Sequence, residues 1–238
     1  MTDNNKPISF LDIFCAIRLN DFNKFKNLIE KSPNKWLRAQ KHGFDIIQHI
    51  LQRNRKEMFL YLLNFQDMMD LEKVLVYILT HNNDNENDYY ACEIIKKGVF
   101  LHGRYIGGRN FLHWSVEKNW INMTRLLLDK GMSVNIVDKN GHTVLQKVIE
   151  RGRSSNDYEY IVMLLFYGAN VCLRNSDGYN AFELAVTQNH SKSVQESLFY
   201  RTLDERARGK THFKVLFKLI KSGSPFSAKY FSIMLRSA

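Results

Sequence analysis

No stretch of this sequence is apolar for long enough to cross a bilayer. The longest such run, MFLYLLNF at residues 58–65, falls far short of the roughly 20 residues a spanning helix needs. Cysteine is scarce: Cys15, Cys92 and Cys172 are odd in number and widely spaced, which makes neither a disulfide framework nor a metal-ligand pair and fits a reducing compartment. The opening residues, MTDNNKPISFLDIF, have no basic start, and Asp12 interrupts their apolar run, so no signal peptide is expected and a cytoplasmic location is. Catalytic signatures are missing as well. None of the eight histidines lies in His-Glu-x-x-His, and neither Cys-x-x-Cys nor Gly-x-Ser-x-Gly occurs. Gly209-Lys210-Thr211 resembles the end of a phosphate-binding loop, but Asp204 stands where that loop needs its first glycine. The expectation is therefore a protein without catalytic residues, cofactor or metal.

Acidic residues are outnumbered, 24 against 34 Lys and Arg, and the formal net charge of +10 favours partners with acidic surfaces while saying nothing of the fold. Hydrophobic residues make up 45% and aromatics 13%, ample for a buried core, so global disorder is excluded.

What fills the chain is a repeat. From Gly108 the sequence reads GRNFLHWSVEKNWINMTRLLLDKGMSVNIVDKN; at Gly141 it restarts as GHTVLQKVIERGRSSNDYEYIVMLLFYGANVCLRNSD; at Gly178 a third copy opens with GYNAFELAVTQNH. A period of about 33 residues signals stacked units that bury their cores only against their neighbours. Each copy has a glycine turn, a short apolar helix, a polar break, a second helix rich in leucine, and a hairpin loop. Gly98, Gly131 and Gly168 stand where second helices close, a place that calls for left-handed backbone.

These segments resemble the ankyrin repeat, whose consensus runs Gly-x-Thr-Pro-Leu-His-x-Ala-Ala, then Gly-His, then Leu-Leu-Leu-x-x-Gly-Ala. Phe111-Leu112-His113 through Gly131 match best; Thr143, Leu145 and Gly168-Ala169 match in the next copy, Phe182 and Ala185 in the third. The proline is missing throughout. Extended upstream, the phase takes in Gly43, Ile47, Ile50 and Asn54, then residues 58–65, and an N-terminal copy in FLDIFCAIRLNDFNKFKNLIEKSP. It also takes in residues 66–98, where the polar segment NNDNEND at 82–88 reads as a lengthened, solvated turn. The resemblance implies an all-α ankyrin-repeat solenoid of about five to six helix-turn-helix repeats with terminal caps. Its expected boundaries are a tail over 1–9, repeats over 10–223 and a cap helix over 224–238.

The resemblance further implies that His113 hydrogen-bonds backbone to steady its hairpin, and that a concave surface binds another protein. By phase, the fingertips carry Arg104, Tyr105, Val137, Asp138, Lys139, Asn140, Arg174, Asn175 and Ser176. The groove-facing side of the first helices carries Trp114, Glu117, Lys118, Lys147, Glu150, Arg151, Thr187 and Gln188. Trp114 is expected to be a binding hot spot; the competing reading gives it a packing role beside Tyr77. The expected partner is a protein with an acidic surface, bound by a monomer, with no membrane involved. A small lysine- and asparagine-rich protein of this kind also resembles effectors that intracellular pathogens direct at host proteins, which would place it in host cytoplasm or nucleus. Two alternatives remain. The basic region from Arg201 onward, where nine Lys or Arg face Asp204 and Glu205, with Lys214, Lys218 and Lys221 interleaved with Phe213, Phe217 and Ile220, could hold nucleic acid or another acidic surface. An unrecognised catalytic site in 190–238 is the other.

Overall fold

The computed structural model describes residues 9–38, 40–81, 86–99, 108–152 and 156–207. Among them are twelve α-helices in six consecutive pairs: α1 (Phe10–Leu19) with α2 (Phe22–Lys31), α3 (Gln40–Gln52) with α4 (Lys56–Leu62), α5 (Leu71–His81) with α6 (Glu86–Lys96), α7 (Phe111–Glu117) with α8 (Ile121–Asp129), α9 (Val144–Arg151) with α10 (Asp157–Phe166), and α11 (Ala181–Thr187) with α12 (Lys192–Ala207). No strand occurs among the described residues; the one β-type contact there is an isolated antiparallel bridge between Val137 and Thr143. The chain divides into two compact units, residues 1–101 with α1–α6 and residues 102–238 with α7–α12.

The helices start where the sequence supplies caps. Ser9 with Asp12, Asn110 with His113, Thr143 with Gln146 and Asn180 with Glu183 each form a reciprocal capping box, which satisfies two backbone N–H groups the first turn leaves open. Four of the first helices end on an asparagine in the left-handed region, Asn20 (φ 57), Asn54 (φ 52), Asn119 (φ 61) and Asn189 (φ 54), whereas α9 ends on Gly152 (φ 60). Beyond each asparagine, the next N–H turns back to the helix: Asp21 to the Ala16 carbonyl, Arg55 to Ile50, Trp120 to Ser115 and His190 to Ala185, at 2.8–3.0 Å. Asparagine here does the work of the consensus glycine, because its short polar side chain tolerates the left-handed backbone. Second helices close the same way through glycine: Gly131 (φ 80) lets Met132 N–H reach the Leu127 carbonyl, and Gly168 (φ 86) lets Ala169 reach Leu164.

In the second unit α7 packs on α8 and α9, α9 on α10 and α11, and α11 on α12. Phe111, Leu112, Val116, Leu127, Val144, Leu145, Val148, Ile149, Ile161, Leu164 and Ala185 are buried between them, so every inner helix is shared by two repeats. The first unit differs in its linkers. Between α2 and α3 the chain makes a π turn over Asn34–Arg38, and after α4 a 3-10 segment over Leu63–Met68. Neither linker contains a glycine to reverse the chain, and Trp36 is instead buried edge-on to Phe10, ring centres 4.8 Å apart. The segment 82–88 is likewise not a solvated turn to its end: α6 begins at Glu86, and Asn87 and Asp88 are buried. Glu86 and Asp88 stabilise this helix start because carboxylates favour the positive end of the helix dipole.

Candidate protein-binding face on α7 and α9

The linkers of the second unit are β-type fingers. In the first, Asp138 N–H donates to the His142 carbonyl at 2.9 Å, and the Asp138 carboxylate accepts the N–H groups of Asn140 and His142 at 2.9 and 3.0 Å. Burial alone would push this carboxyl up, but those two backbone donors, with Lys147 and His142 nearby, outweigh it and hold Asp138 below the usual aspartate range. The next finger repeats the device with Asn175, whose Oδ1 accepts the Tyr179 N–H at 2.9 Å. Fingers bond to each other: Ser176 N–H and Oγ both donate to the Asn140 carbonyl, at 3.2 and 2.7 Å.

Inner helices reach the fingers through the third residue of each capping box. His113 Nε2 meets the His142 carbonyl at 3.2 Å, and Gln146 Nε2 donates to the carbonyls of Leu173 and Tyr179 at 2.8 and 3.1 Å. Desolvation lowers the His113 pKa, partly offset by that backbone bond. His113 thus has the structural role expected of it, and glutamine performs the same role one repeat later.

On the open side of α7 and α9 lies a pocket of about 240 Å³ lined by Arg109, His113, Glu117, Lys147, Glu150 and Arg151. Its charges are organised in pairs. Arg109 bonds Glu117 at 2.8 Å and lies over the Trp114 ring, 5.3 Å from its centre. Lys147 pairs with Glu150 at 2.8 Å and approaches the buried Asp138 at 3.6 Å. Arg151 is a strut: its guanidinium donates to the Val116 carbonyl, pairs with Asp157 at 2.5 Å and covers the Tyr160 ring.

A family model for ankyrin repeats matches residues 83–175 in three copies. That segment carries ankyrin repeats. The chain is 35% identical over 89 residues to a protein of Rickettsia felis named for its ankyrin repeats, covering 36% of this chain and 39% of the relative. It is 22% identical over 137 residues to a fowlpox virus protein named likewise, covering 51% of this chain and 31% of the relative. The chain therefore spans well under half the length of either. The fold is also that of a crystallised ankyrin-repeat protein, EF0377, with a TM-score of 0.60 over 82% of this chain and 98% of the other at 16% identity.

Against the ankyrin repeats, the residues singled out by phase fall into three groups among the described residues and a fourth outside them. Trp114 and Glu117 lie on α7, Lys118 is its C-cap, and Lys147 and Arg151 lie on α9, with Glu117, Lys147 and Arg151 in the pocket wall. Lys139, Asn140 and Arg174 are exposed on fingers, although Arg174 is engaged by Glu183 at 2.9 and 3.3 Å. Asp138 and Asn175 are each only 6% exposed and spend their side chains on finger geometry, which makes them supports of the face. Arg104 and Tyr105 lie outside the described residues, as do residues 208–238 with the basic stripe and the expected cap helix. Phase missed Arg109. It precedes the N-cap of α7, in the link from finger to helix, and only folding brings it onto Trp114 and Glu117. No helix among the described residues is long and apolar enough to cross a membrane.

Proposed function

We propose that this protein captures another protein on the face formed by α7 and α9, with Trp114 as its apolar anchor and the charged pocket beside it fixing orientation. Ankyrin repeats are protein-interaction modules, and the observation that carries the specific reading is the pocket itself. It is concave, lies beside a partly exposed tryptophan, and is lined by three cations and two carboxylates with His113 at its floor. Tryptophan and arginine are the residues that most often dominate binding energy. The net charge of +10 makes the preferred partner acidic by steering. The protein acts as a monomeric adaptor in the cytoplasm. Relatives from Rickettsia felis and fowlpox virus support the finer reading that its target is a host protein.

The test is affinity capture by wild type, Trp114→Ala, Lys147→Glu and, as a control outside the pocket, Val162→Ala at an exposed position of α10. A protein retained by wild type and the α10 control and lost from both face variants is the expected result. Equal retention by wild type and all three variants would refute the assignment of the face.

A further inference from the structure

Beneath the pocket, His142 is buried between groups that make incompatible demands on one ring nitrogen. Its Nε2 lies 2.6 Å from Glu150 Oε1 and 2.9 Å from Asn175 Nδ2. A ring nitrogen has one in-plane site, so it either donates a proton to the carboxylate or accepts one from the amide. The amide cannot flip to resolve the conflict, because Asn175 Oδ1 already accepts the Tyr179 N–H at 2.9 Å. The other ring nitrogen, Nδ1, has no hydrogen-bond partner and faces Asp138 Oδ1 at 3.7 Å. The remaining charged or titratable neighbours are Lys147, which pairs with Glu150 Oε2 and approaches Asp138, and His113, which reaches the His142 carbonyl.

Each protonation state of the ring suits a different neighbour. As imidazolium, His142 donates from Nε2 to Glu150 and presents Nδ1–H to Asp138. The neutral ring protonated on Nε2 would turn the Nδ1 lone pair toward the Asp138 carboxylate, which repels it. When neutral and protonated on Nδ1, the ring keeps its proton toward Asp138 and accepts from Asn175, and nothing holds Glu150 Oε1.

We propose that His142 is a proton-operated latch for Glu150: the imidazolium holds the carboxylate at the foot of the pocket, and the neutral ring, taken up by Asn175, releases it into the binding face. The latch is a property of the fold; its effect on capture rests on the reading of this face as the partner site. With the latch closed, Glu150 is neutralised from below, and Arg109, Lys147 and Arg151 present a more positive wall to an acidic ligand. Opening it returns a carboxylate that competes with that ligand.

Two measurements on the full chain test this separately. Long-range proton–nitrogen correlation at the His142 ring, followed from pH 8 to 5, should show an Nδ1–H tautomer at the high end and both nitrogens protonated at the low end. An Nε2–H tautomer at pH 8, or a ring that keeps one protonation state throughout, overturns the latch. Fluorescence anisotropy with a labelled hexaglutamate peptide as probe reads the consequence. The gain in affinity from pH 8 to pH 5.5 should be up to about fivefold larger for wild type than for Glu150→Gln, the size of one partly exposed charge pair. An equal gain in both proteins overturns the effect on the face. No binding at any pH counts against the acidic-partner reading alone and leaves the tautomer result to decide the latch.

Discussion

The stacking of fingers beside α7 and α9 can be tested at two glycines with similar backbones and different surroundings. Gly131 (φ +80) has no atom within 4 Å of the place a Cβ would take, whereas a Cβ on Gly141 (φ +72) would lie 3.0 Å from Ser176 N and 3.1 Å from Ser176 Oγ. Alanine at either position bears the left-handed penalty of about 1–2 kcal/mol. At Gly141 it also drives a methyl against the backbone of the next finger, and overpacking adds roughly 1–3 kcal/mol. Gly131→Ala should therefore cost about 1–2 kcal/mol and Gly141→Ala about 2–5 kcal/mol. Asparagine separates the two causes, since Asn119 and Asn189 already adopt this backbone. Gly131→Asn should be close to neutral, while Gly141→Asn should remain destabilising. Urea unfolding followed by far-ultraviolet circular dichroism measures all four variants, with shifts in midpoint at constant slope reporting stability. Equal losses at the two positions, or a Gly141→Asn variant as stable as wild type, would mean that the fingers are not in contact and that the Ser176–Asn140 bonds do not form.

Trp114→Ala removes a partly exposed ring whose described interaction is with Arg109, so melting should fall by only a few degrees. Loss of the captured partner should be about thirtyfold or more; a large drop in melting temperature with unchanged capture would assign the ring to packing instead. The lowered His113 pKa favours the neutral ring in the folded state. Its contribution is complete above the ordinary histidine value of about 6.5 and is lost as pH falls toward the lower folded value. His113→Gln, which copies Gln146, should keep the bond to the finger and flatten the denaturation midpoint below about pH 6.5; an unchanged slope would contradict this. Asp138, held below its ordinary range, adds a second loss that begins as pH drops under about 3.9, read in Asp138→Asn as a missing final acid transition. Cys92 is buried, and burial, reinforced by the neighbouring Asp88, pushes its thiol up to about 12. Iodoacetamide at pH 8 should leave Cys92 unmodified in the native protein and label it fully in urea, as mass spectrometry would show; rapid native labelling would refute its burial.

Reading the chain alone identified what repeats along it. Alternating helix lengths, glycines at the ends of second helices and leucines at fixed offsets are local signals, and a stack of units in which each contacts only its neighbours turns a local period directly into a fold. The pairing of helices and the ankyrin character of the repeats were legible for that reason, as was the place of Trp114 and Glu117 on α7 and of Lys147 on α9. The helical linkers of the first unit were not legible, because Trp36 finds Phe10 only after the chain has folded. Nor was the start of α6 inside a polar run, where Asn87 and Asp88 are buried against expectation.

The character of the face was decided by tertiary structure. Asp138 and Asn175 look like fingertip contacts in sequence, yet folding turns their side chains inward onto backbone N–H groups of their own turns. Arg109 and Glu117, eight positions apart, meet at 2.8 Å, and His142, Glu150 and Asn175 converge from one helix and two fingers. A period fixes which residues share a register. Which charges end up paired, buried or competing for one proton depends on distances between adjacent repeats, and those exist only once the inner helices and fingers have packed.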